Sequence, residues 1–192
     1  MNSIILASTS PRRKEILKKA GIEFKIISPD YDENILNKMF SYKLIESVAE
    51  NKAKSAARKI NEPCIIISAD TVVIYDKQVL GKPKDFDEAF KMFSMLNGKT
   101  HKVVTAVCMI NNETSKKIIK SETSEVTFNY LDEITIKDYI LKYNPYDKAG
   151  SYGIQELPFG FVKEIKGDYD NIVGLPSNIV INMLKEIMNN KV

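Results

Sequence analysis

A chain of 192 residues, 44% hydrophobic and 28% charged, is long enough to bury a sizeable core and has the composition of a globular protein. Its 28 lysines and arginines nearly balance 25 aspartates and glutamates, and a formal net charge of +3 is too small for general nucleic-acid binding, so any basic function must be local. No apolar run approaches a membrane span, and Ile4 to Ala7, followed at once by arginines, is too short for a signal-peptide core, which leads us to expect a cytoplasmic protein with no membrane partner.

Strand and helix patterns alternate along the chain. Ile4–Ala7 reads as a strand that breaks into Ser8-Thr9-Ser10 and then a helix over Pro11–Ala20, with Ser10 as its N-cap, Pro11 at the first helical position and Gly21 closing it. Phe24–Ile27 reads as a second strand, and a polar loop from Ser28 to Asn34 carries Asp30, Asp32 and Glu33. Leu44, Ile45, Val48, Ala49, Ala53, Ala56 and Ala57 recur at helical spacing and predict a helix over Tyr42–Lys59. Cys64–Ser68 is an apolar run suited to a central strand; it leads into Ala69-Asp70-Thr71 and then Val72–Tyr75. A turn at Asp76-Lys77-Gln78, a helix over Phe86–Leu96 and a long hairpin of Val103–Ile110 with Lys117–Tyr130 follow. The remaining elements are a helix over Asp132–Tyr143, a strand over Phe161–Ile165 and a last helix from Pro176 to about Met188. The fold class is α/β with a mixed sheet, in one domain spanning residues 1–192. Cys64 and Cys108 both fall in apolar runs and are expected as buried thiols without a disulfide.

Arg12 and Arg13 stand in the first turn of the first helix, where cations oppose the helix dipole. The free backbone N–H groups there attract anions, and two guanidinium forks add a clamp suited to a phosphate chain. Asp70 follows a buried strand, at the kind of sheet edge where α/β proteins place ligands, and its carboxylate could hold a divalent metal or take a proton from attacking water. Capping a turn is its alternative role. Lys52 and Lys82 read as solvated surface lysines unless the fold brings them together, and the acidic loop at Asp32 and Glu33 reads either as a metal site or as ordinary loop polarity. The single histidine, His101, reads as structural, which removes histidine-dependent hydrolysis and His-rich zinc sites. Tyr146–Gln155 packs small and aromatic residues into a non-helical stretch, either a loop facing a planar ligand or a plain turn. Together, an arginine pair, one strand-borne acid, two lysines and an acidic loop suit a triphosphate with Mg²⁺ attacked by water. No P-loop or Rossmann glycine motif is present.

These pieces carry a resemblance. Leu6-Ala7-Ser8-Thr9-Ser10-Pro11-Arg12-Arg13, Glu50-Asn51-Lys52-Ala53, Ala69-Asp70-Thr71-Val72-Val73, Gly81-Lys82-Pro83, Lys148–Gln155 and Val173-Gly174-Leu175-Pro176 are similar, in order and over nearly the whole chain, to the Maf family of nucleoside triphosphate pyrophosphatases. The resemblance implies an ITPase-like (Maf/Ham1) α/β fold with a cleft between two lobes, and hydrolysis of a nucleoside triphosphate to its monophosphate and pyrophosphate. It further implies a divalent cation (Mg²⁺, Mn²⁺ or similar) and a homodimer. By the same resemblance Asp70 is the proton acceptor, Ser8, Arg13, Lys52 and Lys82 bind phosphate, and Asp70 with Glu33 faces the metal. Arg12, Thr71 and Gln155 match the branch acting on dTTP and UTP, whose ring carbonyls and N–H need polar partners once desolvated. The chain departs from the family at Glu156-Leu157-Pro158, where Gly is usual after Gln155, and at Ser177. A nucleotide-binding regulator of septum formation without turnover is the alternative function, and Asp70 discriminates the two, since a pure binder has little use for an acid beside phosphate.

Overall fold

The computed structural model describes residues 3–31 and 39–189. Its sheet has seven strands: β1 (Ser3–Leu6), β2 (Lys25–Ile26), β3 (Cys64–Tyr75), β4 (Gln78–Leu80), β5 (Thr100–Asn111), β6 (Lys117–Phe128) and β7 (Val162–Lys166). The order is β2-β1-β3-β5-β6-β7, with β4 paired to β3 off this path. β1 runs parallel to β2 and β3, while all pairings from β3 through β5 and β6 to β7 are antiparallel. The sheet is therefore mixed, as the hairpin required. Six helices accompany it: α1 (Pro11–Lys19), α2 (Tyr42–Ala57), α3 (Phe86–Leu96), α4 (Glu133–Tyr143), α5 (Tyr169–Val173) and α6 (Ser177–Met188).

Local chemistry explains most of these boundaries. α3 and α4 start at Asp85 and Asp132, whose side chains accept from the N–H groups of Glu88 and Thr135, and α2 starts at Ser41, which accepts from Leu44. The Asp76-Lys77 turn has both residues at positive φ (47° and 63°), the geometry that matches a tight hairpin to strand twist. α1 differs from expectation: Ser10 occupies the cap position but makes no side-chain cap bond, and instead the Ser8 hydroxyl accepts from the Ser10 N–H at 3.2 Å. β2 is shorter than its sequence pattern, at two residues.

β3 is the element that builds the site. The sequence suggests a strand ending at Ser68, yet β3 continues through Asp70 and Thr71 to Tyr75. One edge pairs with β5 from Ile65 to Ile74. The other edge pairs with β1 as far as Ile67 and with β4 from Val73 onward. Between them, Ser68 to Val72 form a notch in the sheet. The Ile67 carbonyl accepts from the Ala7 N–H across the β1 edge, so by the two-residue period of a strand the main-chain groups of Ala69 and Thr71 also turn toward the notch.

The core follows the same alternation. Ile66, Val72 and Ile74 pack with α2 residues Ile45, Val48, Ala49 and Ala53 on one face of β3. On the other face, Ile65, Ile67 and Ala69 pack with Leu17 of α1 and Val180, Met183 and Leu184 of α6. Val73 packs there with Phe93 of α3 and Ile136 and Ile140 of α4. Each fully buried Ile, Leu or Phe contributes about 1.5–3 kcal/mol from area removed from water. Cys64 and Cys108 are free and buried, and burial pushes the Cys108 thiol up to about 12. No helix among the described residues is long and apolar enough to cross a membrane.

Candidate functional site

A pocket of about 370 Å³ opens at the β3 notch. Ser8, Arg12, Arg13, Lys52, Asp70, Thr71, Lys82 and Gln155 all line it, although they come from six separate stretches of sequence. Glu33 and Asp32 lie outside the described residues.

Asp70 and Thr71 are adjacent in β3 and so point to opposite faces of the sheet. Asp70 turns toward α2, where Lys52 meets it: Nζ lies 2.5 Å from Oδ1, with the two side chains 5% and 4% exposed. Neither residue has the role its local sequence suggests. Lys52 is buried among the alanines of α2 instead of solvated, and Asp70 sits inside a strand, at the notch, instead of capping a turn at a strand end. Two charges this deep are tolerated because each offsets the other's desolvation.

Thr71 turns the other way, into a network centred on Arg13. The Arg13 guanidinium donates to the Gly174 carbonyl at 2.9 Å, to the Thr71 hydroxyl at 3.2 Å and to the Ser8 hydroxyl at 3.3 Å. The Thr71 hydroxyl also lies 2.9 Å from that of Thr105. Gly174, at φ 125°, closes α5, and a Cβ there would sit 3.4 Å from Thr71 Oγ1. The glycine thus permits both the backbone turn and the close approach of its carbonyl to Arg13. Arg12 does not join Arg13 in one clamp. Consecutive helical residues point about 100° apart, and Arg12 instead reaches Asp147 at 3.5 Å. Both arginines nevertheless line the pocket.

Asp147, Lys148 and Tyr152 belong to the stretch that the sequence offers as a loop facing a planar ligand or a plain turn, and all three line the wall of the pocket. Lys148 and Tyr152 line the pocket from the segment Tyr146–Gln155, which folds as two single helical turns, Pro145–Asp147 and Ala149–Ser151, and not as an open loop. Asp147, just before them, completes this wall, and Lys148 pairs with it at 2.7 Å and with Glu156 at 3.1 Å. For Asp147, burial raises the carboxyl, but the hydrogen bond and charge of Lys148 and the charge of Arg12 outweigh it and hold the group below the usual carboxylate range. The signal available in sequence is the pairing of small residues with two tyrosines in a non-helical stretch; the ion pairs are not. His101 is buried, as a structural histidine should be, with Nε2 2.7 Å from the Tyr152 hydroxyl and burial lowering its pKa to about 4.

A buried acid next to an ammonium group, with a guanidinium, hydroxyls and further cations around one cavity, is chemistry for holding a polyanion and moving one proton. Among the described residues no three His, Cys, Asp or Glu side chains come together as a metal cluster. Asp70 alone suits Mg²⁺ or Mn²⁺, because such an ion takes one or two protein carboxylates and completes its shell with substrate phosphates and water.

Residues 3–187 match the family described as Maf-like protein. A dTTP/UTP pyrophosphatase of Alkaliphilus oremlandii (strain OhILAs) is 44% identical over 92% of this chain and 91% of its own. One from Clostridium perfringens (strain 13 / Type A) is 44% identical over 95% of each chain, and one from Ruminiclostridium cellulolyticum is 42% identical over 97% of each. Among solved structures, a HAM1 protein from Coxiella burnetii superposes with a TM-score of 0.54 at 16% identity, covering 97% of this chain and 100% of that one, which is a likeness of fold. The chain belongs to the Maf family.

Proposed function

From that membership and the pocket's chemistry, we infer that this Maf protein hydrolyses dTTP and UTP to the nucleoside monophosphate and pyrophosphate. Its relatives' names support the reaction. The observation that carries it to this chain is the Asp70 carboxylate, 3% exposed, set beside Lys52 at the notch in a cavity that also holds Arg13 and Lys82.

In this reading Asp70 takes the proton of a water that attacks the α-phosphorus. The bond from that phosphorus to the bridging oxygen breaks, and pyrophosphate leaves with the oxygen. Lys52 holds the Asp70 carboxyl in orientation. Arg13, kept in place by Ser8, Thr71 and Gly174, and Lys82 counter the charge that develops on the phosphates, so most of the rate comes from positioning and charge neutralisation. A divalent ion, Mg²⁺ or Mn²⁺, would be held by Asp70, with Glu33 as the second carboxylate, and when bound supplies charge neutralisation across the phosphates. Arg12, Thr71 and Gln155 set the base preference. The proposal extends to a single two-lobed domain acting as a cytoplasmic homodimer on free nucleotides, without nucleic-acid or membrane partners.

The test is stoichiometric release of pyrophosphate and monophosphate from dTTP or UTP with Mg²⁺, with ¹⁸O from labelled water appearing in the monophosphate. Intact substrate at high enzyme concentration refutes the reading, and label in pyrophosphate refutes attack at the α-phosphorus. Chelation of divalent ions is expected to abolish turnover; undiminished release in excess chelator removes the metal from the proposal.

A further inference from the structure

We propose that Lys148 is a further substrate-binding residue, that its ammonium donates a hydrogen bond to a carbonyl oxygen of the pyrimidine ring, and that Asp147 and Glu156 hold it in position to do so. The proposal deepens the dTTP/UTP reading above and rests on it.

Lysine is among the residues least often buried, and it is buried only when paired. The Lys148 side chain is 8% exposed, with Nζ 2.7 Å from Asp147 Oδ1 and 3.1 Å from Glu156 Oε2. An ammonium group has three donors and no acceptor, and two carboxylates account for two of the three. The chain of charges continues, since Asp147 also faces Arg12 at 3.5 Å. The methylene tail is fixed as well: a Cβ at Gly153 would stand 2.9 Å from Lys148 Cε and 3.0 Å from Cδ. In the turn that follows, Gly150 stands at φ 67° with its backbone close against Val73, and Ser151 stands at φ 64°. A lysine ordered before ligand arrives loses little rotamer freedom when it binds one.

Its place in the cavity decides which part of the substrate it meets. Lys148 already faces two carboxylates, Asp147 and Glu156, and so suits a neutral acceptor rather than a phosphate. The same segment brings Tyr152, Gly153 and Ile154 to the pocket lining, with Gly153 against the Lys148 tail, which suits a flat, largely apolar ring. A ring carbonyl desolvated against that wall needs a donor, and Lys148 can only donate.

The test measures kcat/KM for UTP, 2-thio-UTP and 4-thio-UTP with the wild-type protein and with Lys148→Met. Sulfur is the weaker acceptor, so the wild type should lose about tenfold on one of the two analogues, and which one identifies the oxygen. Lys148→Met should lose about tenfold on UTP and show no added penalty for that analogue. Glu156→Gln should raise KM for UTP about threefold with kcat retained. Gly153→Ala keeps the charge but crowds the tail and should shrink the sulfur penalty, which keeps the proposal testable if Lys148→Met proves unfolded by circular dichroism. Equal sulfur penalties in the wild type and the folded variants, or none in the wild type for either analogue, overturn the role of Lys148. Absence of pyrophosphate release from UTP by the wild type would instead overturn the reading on which it rests.

Discussion

The two faces of β3 reach the same pocket by opposite means. Toward α2, Asp70 and Lys52 form a dry ion pair that is almost fully buried. Toward α1 and α5, the Thr71 and Ser8 hydroxyls and the Gly174 carbonyl each accept from Arg13, in a half-open network. The first arrangement ties its members closely, because removing one takes a hydrogen-bonded counter-charge from the other in the interior. The second spreads its dependence over several modest bonds, any one of which can be lost without stranding a charge. One strand thus carries a brittle acid, Asp70, beside Thr71, which is one of several supports of a cation on α1.

Substitutions can break this contrast. The largest effect should fall on turnover: Asp70→Asn is expected to lower kcat for dTTP by about 10³-fold or more while nucleotide binding persists, measured as pyrophosphate release against equilibrium binding. Loss of binding in parallel with rate would recast Asp70 as part of the ligand cradle. Lys52→Met should destabilise the fold by about 3–5 kcal/mol in urea unfolding, the cost of stranding Asp70. Lys52→Met with Asp70→Asn should recover much of that loss; a purely additive double variant would mean that the pair is not the source. Thr71→Val sharpens the other side. It removes one of Arg13's acceptors and should cost only about 1 kcal/mol of stability, read in the same unfolding assay.

A third region supplies a pH axis between these two in size. His101 titrates near 6.5 when unfolded and at about 4 when folded, so the unfolded state binds more protons between these values. Its contribution to stability is complete above pH 6.5 and is lost as pH falls toward 4, by about 3 kcal/mol in total. His101→Gln, which keeps a partner for the Tyr152 hydroxyl, should flatten this part of the stability profile. An unchanged slope from pH 7 to pH 4.5 would place the acid sensitivity elsewhere.

Much of this was legible in the chain. Asp85 and Asn97 bracket Phe86–Leu96 clearly enough that α3 has the boundaries its pattern predicts. The hairpin of β5 and β6 follows from alternation with a polar turn between. Among the described residues, Ser8, Arg12, Arg13, Lys52, Asp70, Thr71, Lys82 and Gln155 were legible as a set and line one pocket. Asp70 itself was misplaced within its strand because Asp is a poor strand former and interrupts the apolar run, and here tertiary pairing with β5 and with Lys52 overrides propensity. α5 was missed because its five residues, Tyr169–Val173, are too few to show a helical period. The divergence of Arg12 from Arg13 was available from helix geometry alone, but the partners that make it useful, Asp147 and Gly174, lie more than a hundred residues away in sequence.

The notch in β3 has one consequence for any attempt to inactivate the protein. Thr71, which lines the pocket, turns its main-chain groups toward the notch, and mutagenesis replaces side chains while leaving amides intact. Catalytically dead variants should therefore retain a floor of ligand affinity that no single substitution abolishes. Such proteins are expected to bind nucleotide without turning it over, which equilibrium dialysis of the folded variants would show.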